Sequence, residues 1–206
     1  MRVAADPSPA LEVPPWVRGL VFDCDGTLVD TLPLHYAAWE ETFAELGLPC
    51  PMEFLIRHNG KPTDLIVALY NVAFGRFIDV ERFTADKERR TYALLDQARP
   101  MEPVAALARR YHDRLPMAVV SGSNRANVER ALRAAGLHEL FSVVLTADDG
   151  LPPKPAPELF LEAARQLNVE PCNCQVFEDA DAGLEAAERA GMLATDVRPF
   201  VETDRR

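Results

Sequence analysis

Asp23 and Asp25 stand two residues apart at the end of an apolar run, Leu20-Val21-Phe22, and Gly26 and Thr27 follow at once. The run is too short for a helix and is bounded by a turn signal, so it reads as a buried strand. Side chains alternate along a strand, so the two carboxylates share one face if the extended geometry continues, and Cys24 points the other way into the core. Two carboxylates held together repel unless a cation sits between them or one keeps its proton. Either outcome serves chemistry. Asp-Gly alone is a common turn; the whole Asp-x-Asp-Gly-Thr block after an apolar strand is far more specific.

Other apolar runs end in polar groups of a compatible kind. Met117-Ala118-Val119-Val120 ends at Ser121-Gly122-Ser123, and Gln175-Val176-Phe177 ends at Glu178-Asp179. Lys154 lies in Pro152-Pro153-Lys154-Pro155-Ala156-Pro157, before a helix that Pro157 can start. Taken singly, Ser121-Gly122-Ser123 is a turn and Glu178-Asp179 an acidic helix start. Taken together, carboxylates from two strand ends can hold Mg²⁺, which favours a few carboxylates, waters and a substrate phosphate. The lysine can balance the remaining charge and touch phosphate, while the serine and nearby backbone N–H groups hold other phosphate oxygens.

These residues need elements to position them. Ser142-Val143-Val144-Leu145 and Leu193 to Val197 are two more strand candidates. Phe160, Ala163, Ala164 and Leu167 share one helix face, as do Val128, Leu132 and Ala135; Leu184, Ala187 and Glu188 sit in a helix that stops at Gly191. This alternation predicts an α/β fold, a doubly wound, Rossmann-like parallel sheet with helices on both faces and its site beyond the carboxyl ends of the strands. Residues 32–98 break the rhythm. Tyr36, Trp39, Phe43 and Leu46 form a helical stripe, and Thr63 to Tyr70 and Val80 to Asp96 also read as helices. The expected organisation is a flexible lead-in over 1–17, a catalytic core from 18–31 and 99–206, and an inserted α-helical cap over 32–98.

Composition narrows the function classes. The 206 residues are 48% hydrophobic and 26% charged, as in a globular chain, with a net charge of −10. That charge disfavours nucleic acid and anionic membrane surfaces as partners, and makes any phosphate substrate depend on local cations. No apolar run approaches membrane-spanning length and the N-terminus lacks a signal pattern, so a cytoplasmic protein is expected. The four cysteines, Cys24, Cys50, Cys172 and Cys174, form no disulfide framework and read as free thiols.

The order of these motifs resembles the haloacid dehalogenase-like phosphohydrolase superfamily over nearly the whole chain after residue 18. Asp23-Cys24-Asp25-Gly26-Thr27, Ser121, Lys154 and Glu178-Asp179 match its four motifs. Val176 to Gly183, with Ala186-Ala187 and Ala190-Gly191-Met192, is similar to the subgroup of beta-phosphoglucomutase and small sugar-phosphate phosphatases. His35, Trp39 and Asn59-Gly60-Lys61-Pro62-Thr63 look closest to bacterial fructose-1-phosphate phosphatases. The resemblance implies that Asp23 attacks phosphorus and that Asp25 protonates the leaving alkoxide and then takes a proton from water. It implies Mg²⁺ on Asp23, the backbone carbonyl of Asp25 and Asp179, with Glu178 acting through water or from behind. Thr27, Ser121, Gly122 and Lys154 would surround the phosphate, and Gly26 would let the backbone turn closely there. This chemistry requires an ionised Asp23 and an Asp25 able to keep a proton. Ala180 stands where many relatives have serine, which removes a hydrogen bond but no expected ligand.

In the cap, the resemblance makes His35 a substrate sensor or an aid to Asp25, and Asn59, Gly60 and Lys61 a substrate-recognition loop. The residues alone read equally as a helix-surface histidine and an Asn-Gly turn before a helix capped by Thr63. Trp39 belongs in the cap core. Lys87-Glu88-Arg89-Arg90 reads as a solvated helix face, one cation of which can reach a sugar phosphate. The implied protein is a monomeric phosphatase of a small phosphorylated sugar or polyol. Its rivals are a beta-phosphoglucomutase-type isomerase and a catalytically silent sugar-phosphate-binding protein. Such mutases carry a cap-loop arginine for a second phosphate, whereas this chain has Thr63 with Lys61 nearby.

Overall fold

A computed structural model describes residues 11–201. Five parallel strands, β1 (Gly19–Phe22), β2 (Met117–Val120), β3 (Val143–Leu145), β4 (Cys174–Glu178) and β5 (Leu193–Asp196), form one sheet in the order β3-β2-β1-β4-β5. From central β1 the chain builds outward through β2 and β3 on one side, then crosses back to β4 and β5 on the other. Such a reversal opens a crevice beyond the carboxyl ends of the strands that flank it. Register places Phe22 level with both Val119 and Phe177, so Asp23, Ser121 and Asp179 leave the sheet along one edge.

Alternation along the strands divides the core in two. Leu20, Phe22 and Val119 face α5 (Glu102–Tyr111) and α6 (Arg125–Ala134); Val21, Ala118, Val120 and Val176 face α7 (Glu158–Leu167) and α8 (Asp181–Arg189). Cys24 is buried in the first of these layers, and Pro157 immediately precedes α7, both as expected. Leu184, Ala187 and Glu188 lie in α8, which ends just before Gly191 as expected, and its buried face is Gly183, Ala186 and Ala187. Small side chains let α8 lie close to the sheet, and that selects the alanine face over the leucine.

Between β1 and α5 lie four helices: α1 (Leu32–Glu45), α2 (Met52–Arg57), α3 (Thr63–Phe74) and α4 (Val80–Leu94). They enclose a separate core containing Trp39, Phe43, Leu55, Tyr70 and Phe83. Leu46, expected on that stripe, falls past the end of α1 and is 51% exposed. The two connections to the sheet domain run side by side, with Asp30 N–H donating to the Arg99 carbonyl at 2.8 Å and Met101 N–H to the Leu28 carbonyl at 2.9 Å.

Helix α4 is not the solvated face expected from Lys87-Glu88-Arg89-Arg90. Phe83, Lys87 and Thr91, at i, i+4 and i+8, are its buried side, and of the four charged residues only Arg89 is exposed. Lys87 faces inward because α4 lies between the cap core and the domain interface. The expected flexible lead-in falls partly outside the described residues; within them, Leu11, Val13 and Val17 pack on the sheet core and Gln175 Nε2 donates to the Glu12 carbonyl at 3.0 Å. All four cysteines are free thiols, and among the described residues no helix is long and apolar enough to cross a membrane.

Phe43 is 1% exposed and its ring meets those of Trp39, Tyr70 and Phe83. Truncating such a side chain removes transfer energy and leaves a cavity. Phe43→Ala is expected to lower stability by about 3–5 kcal/mol in urea unfolding. Phe77→Ser, at a fully exposed ring, is expected to stay within about 0.5 kcal/mol of the parent.

Candidate active site

The crevice beyond β1, β2 and β4 is a small cavity of about 60 Å³. Asp23, Asp25, Glu178 and Asp179 line it from the sheet side, and His35, Asn59, Gly60, Lys61 and Lys87 from the cap. Both candidate carboxylates of the Asp-x-Asp motif therefore face one space, together with the acidic pair from β4.

Lys154 organises the floor. Its ammonium donates to Asp23 Oδ1 at 2.7 Å, Glu178 Oε2 at 2.8 Å and the Val120 carbonyl at 3.1 Å, and the residue is 1% exposed. Glu178 Oε1 also accepts from the backbone N–H groups of Asp179, at 3.2 Å, and Ala180, at 3.0 Å. Oxygens of Asp23, Glu178 and Asp179 lie within 4.8 Å of one another, and all three residues are buried. Burial and the Glu178 carboxylate push the Asp23 carboxyl well above its usual range, and Lys154 offsets them only in part. Burial raises Glu178 too, against the pull of Lys154. Burial acts downward on the Lys154 ammonium, but Asp23 and Glu178 outweigh it and raise its pKa. Three carboxylates against one ammonium leave an excess of buried negative charge, and their hard oxygen donors fit a divalent cation.

Asp25 has a different environment. Thr31 Oγ1 donates to its Oδ1 at 2.6 Å, and Ser121 Oγ and Ser123 Oγ donate to its Oδ2 at 3.0 and 2.8 Å. His35 Nε2 lies 3.3 Å from Oδ1, and Lys87 Nζ donates to His35 Nδ1 at 2.9 Å. An ammonium has no acceptor, so the ring proton belongs on Nε2, facing Asp25. Burial acts upward on Asp25, but the His35 imidazole and the Thr31 and Ser123 hydroxyls outweigh it and hold its carboxyl well below the usual range. The protein by itself thus polarises the two carboxylates in the reverse of the expected sense. The physical reason is that burial and Glu178 outweigh Lys154 at Asp23, while donors outweigh burial at Asp25; a cation among Asp23, Glu178 and Asp179 acts on Asp23 in the opposite direction.

Two expected phosphate contacts have other hydrogen-bond partners here. The Thr27 hydroxyl is wholly buried and donates to Asp179 Oδ1 at 3.0 Å, and that of Ser121 is directed to Asp25. Gly26 has φ +85°, and a Cβ there would lie 2.7 Å from Asp179 Oδ2, so both conformation and space demand glycine. Asn59 Nδ2 donates to the Tyr36 hydroxyl at 2.7 Å. Thr63 does not cap α3; its hydroxyl donates to Glu88 Oε1 at 2.5 Å instead. From sequence, Thr31 carries no assignment, Tyr36 reads only as part of a helical stripe and Ser123 only as part of a turn. Thr31 lies within a turn of the first motif and Ser123 two residues past Ser121, so a search of each strand end for hydroxyls would have found both.

A family model described as haloacid dehalogenase-like hydrolase matches residues 17–191. The chain belongs to that family. It is 40% identical over 181 residues to the fructose-1-phosphate phosphatase YqaB of Escherichia coli, covering 87% of this chain and 96% of that one. It is 35% identical over 177 residues to the validoxylamine A 7'-phosphate phosphatase of Streptomyces hygroscopicus, covering 84% and 82%. The crystal structure of beta-phosphoglucomutase from Clostridium difficile superimposes with a TM-score of 0.76 at 25% identity, covering 87% and 84%. As a haloacid dehalogenase-like hydrolase of this kind the chain is an enzyme, a phosphoric monoester hydrolase.

The charge imbalance around Lys154 has measurable consequences. Lys154→Met leaves buried carboxylates without their ammonium and is expected to lower stability by about 3–5 kcal/mol. Asp23→Asn relieves repulsion and is expected to stabilise the protein in chelator. A carboxyl whose folded pKa is raised contributes stability below its unfolded value of about 4 that is lost as pH rises through the folded value. The stability advantage of Asp23→Asn over the parent should therefore grow from pH 4 upward, as read by urea unfolding in chelator at a series of pH values.

Proposed function

We propose that this hydrolase is a magnesium-dependent phosphatase that removes phosphate from a small sugar or polyol phosphate resembling fructose 1-phosphate, with Asp23 as nucleophile. The observation that carries this reading is the buried Asp23–Lys154–Glu178–Asp179 cluster facing Asp25 under a polar helical roof. The relative that is a fructose-1-phosphate phosphatase, at 40% identity, supports the substrate class. Four free thiols suit a reducing cytoplasm.

Asp23 is the group aimed at phosphorus, since it lies at the end of the central strand with its carboxylate in the cavity. Its attack forms the carboxylate oxygen–phosphorus bond of an acyl phosphate on Asp23 as the bond from phosphorus to the sugar oxygen breaks. The negative charge of the incoming phosphate favours uptake of a proton by Asp25 from solvent; Asp25 delivers that proton to the departing oxygen, then removes one from the water that cleaves the acyl phosphate. Magnesium, when bound by Asp23, Asp179 and the Asp25 carbonyl with Glu178 behind them, supplies positive charge to the phosphoryl oxygens. Lys154 neutralises charge beside Asp23, and Ser121 with the Gly122 backbone borders the phosphate. His35 holds Asp25 from the cap, and Asn59, Gly60 and Lys61 meet the sugar.

A mutase must grip a second phosphate while its phosphoenzyme waits for a sugar hydroxyl. Among the described residues no arginine lines the cavity, and the Thr63 hydroxyl is committed to Glu88. Both features favour hydrolysis over isomerisation.

Asp23→Asn is expected to reduce phosphate release by more than about a thousandfold with the fold retained. Asp179→Asn is expected to raise the magnesium requirement, and excess chelator to abolish turnover of the parent. With beta-glucose 1-phosphate and a bisphosphate primer, phosphate should appear without appreciable glucose 6-phosphate. Efficient glucose 6-phosphate formation with negligible free phosphate would instead establish the isomerase.

A further inference from the structure

Glu88 projects from cap helix α4 and takes no part in the chemistry at Asp23, yet its carboxylate is saturated. Oε1 accepts from Thr63 Oγ1 at 2.5 Å and from Lys87 Nζ at 3.0 Å. Oε2 accepts from Asn124 Nδ2 at 2.9 Å and from Asn127 Nδ2. An ionised carboxylate offers about four lone-pair sites, and all have donors here. Two of the donors are in the cap. The other two stand at the start of α6, on the sheet domain, where Asn124 caps the helix by accepting from the Asn127 N–H at 2.9 Å. Burial acts upward on Glu88, but Lys87, His35 and the Thr63 hydroxyl outweigh it, so the group stays ionised.

The helical unit and the sheet also meet two residues before Asn124, in the loop after β2. Gly60 of the cap loop presses on Gly122 so closely that a Cβ at Gly122 would lie 2.3 Å from the Gly60 carbonyl oxygen. The cavity over Asp23 that Gly60 and Gly122 border, about 60 Å³, equals the volume share of about two waters. Pockets that take a small organic ligand are about 300 Å³ or more. A sugar phosphate is therefore admitted only when the cap shifts from this position, and where the cap then settles depends on the contacts it keeps with the sheet side.

We propose that Glu88 is a positioning residue that fastens the closed cap to the first turn of α6 and so sets the height of Lys61, Asn59 and Lys87 above Asp23. The Gly60–Gly122 approach limits how far the cap descends; Glu88 supplies the polar attraction that holds it there. Neighbouring Lys87 and Thr63 share that carboxylate, so the recognition loop and the roof lysine are registered by one group. Affinity for the sugar portion of the substrate, which rests on the proposed phosphatase reading, then depends on a contact outside the cavity.

The test is a charge exchange across the interface. Asn127→Asp sets a second carboxylate against Glu88 and should raise KM for fructose 1-phosphate about tenfold, a coupling within the range of contacting pairs. Hydrolysis of para-nitrophenyl phosphate, whose leaving group makes no polar cap contacts, should change less than about twofold. Glu88→Gln combined with Asn127→Asp restores a donor–acceptor pair and should bring KM back to within about threefold of the parent. Hydrogen exchange of residues 59–63 supplies a readout independent of turnover: faster in Asn127→Asp, restored in the double variant. Equal losses on both substrates, no recovery in the double variant, or unchanged exchange would each overturn the role of Glu88. If the exchange pattern holds while fructose 1-phosphate is not hydrolysed by the parent, the Glu88 contact stands and the substrate reading fails.

Discussion

One buried ammonium ties three adjacent strands together at the point where they leave the sheet. Lys154 reaches Asp23 just beyond β1, the Val120 carbonyl at the end of β2 and Glu178 at the end of β4. A buried carboxylate left without its cation is costly, so this contact restricts how far any of the three strands can slip. The matched register of Phe22 with Val119 and Phe177 is the backbone side of the same constraint. Site and sheet are therefore stabilised by one arrangement, and the site inherits the rigidity of the fold's centre.

That arrangement also explains why two carboxylates from one short motif behave differently. Asp23 turns toward Lys154 and Glu178, where its proton affinity is governed by charges. Asp25 turns toward hydroxyls from the interdomain connection, at Thr31, and from the loop after β2, at Ser121 and Ser123. The environments are supplied by different elements, so a cation can change the state of Asp23 while Asp25 is controlled from the interdomain side. His35 adds a cap residue to the Asp25 set, which makes the protonation of that carboxyl sensitive to where the cap stands.

The parallel sheet and the groups at its edge were legible because their signals are local. Short apolar runs ending in Asp23-x-Asp25, Ser121 and Glu178-Asp179 declare both the strand and the polar group that follows. The helices α2 and α5 were not singled out. Six residues make α2 too short to display a period, and α5 mixes its apolar stripe with Arg109 and Arg110. The inward turn of Lys87 and Glu88 was misread because a run of charges ordinarily marks a solvated face. What buries them is a domain interface, and its position depends on residues 35, 63, 124 and 127, far apart in sequence. Thr27 shows the same limit at finer scale: its place in the motif was readable, but the direction of its hydroxyl toward Asp179 was not.

The cap's apolar core and its polar roof are one structure. Lys87 shares the inward face of α4 with Phe83, and its ammonium lies 5.3 Å from the centre of the Trp39 ring while donating to His35 and Glu88. Trp39 in turn stacks on Phe43 and touches Phe83. An ammonium over an aromatic face is held by the ring quadrupole as well as by its hydrogen bonds. Displacing Trp39 would therefore shift the lysine above the reacting centre without altering any group at the sheet edge. Packing within the cap controls the upper half of the site in the way that strand register controls the lower half. On the proposed function the two halves can vary separately: changes in the cap would alter which phosphate ester is accepted, while Asp23, Lys154, Glu178 and Asp179 keep the geometry of the sheet.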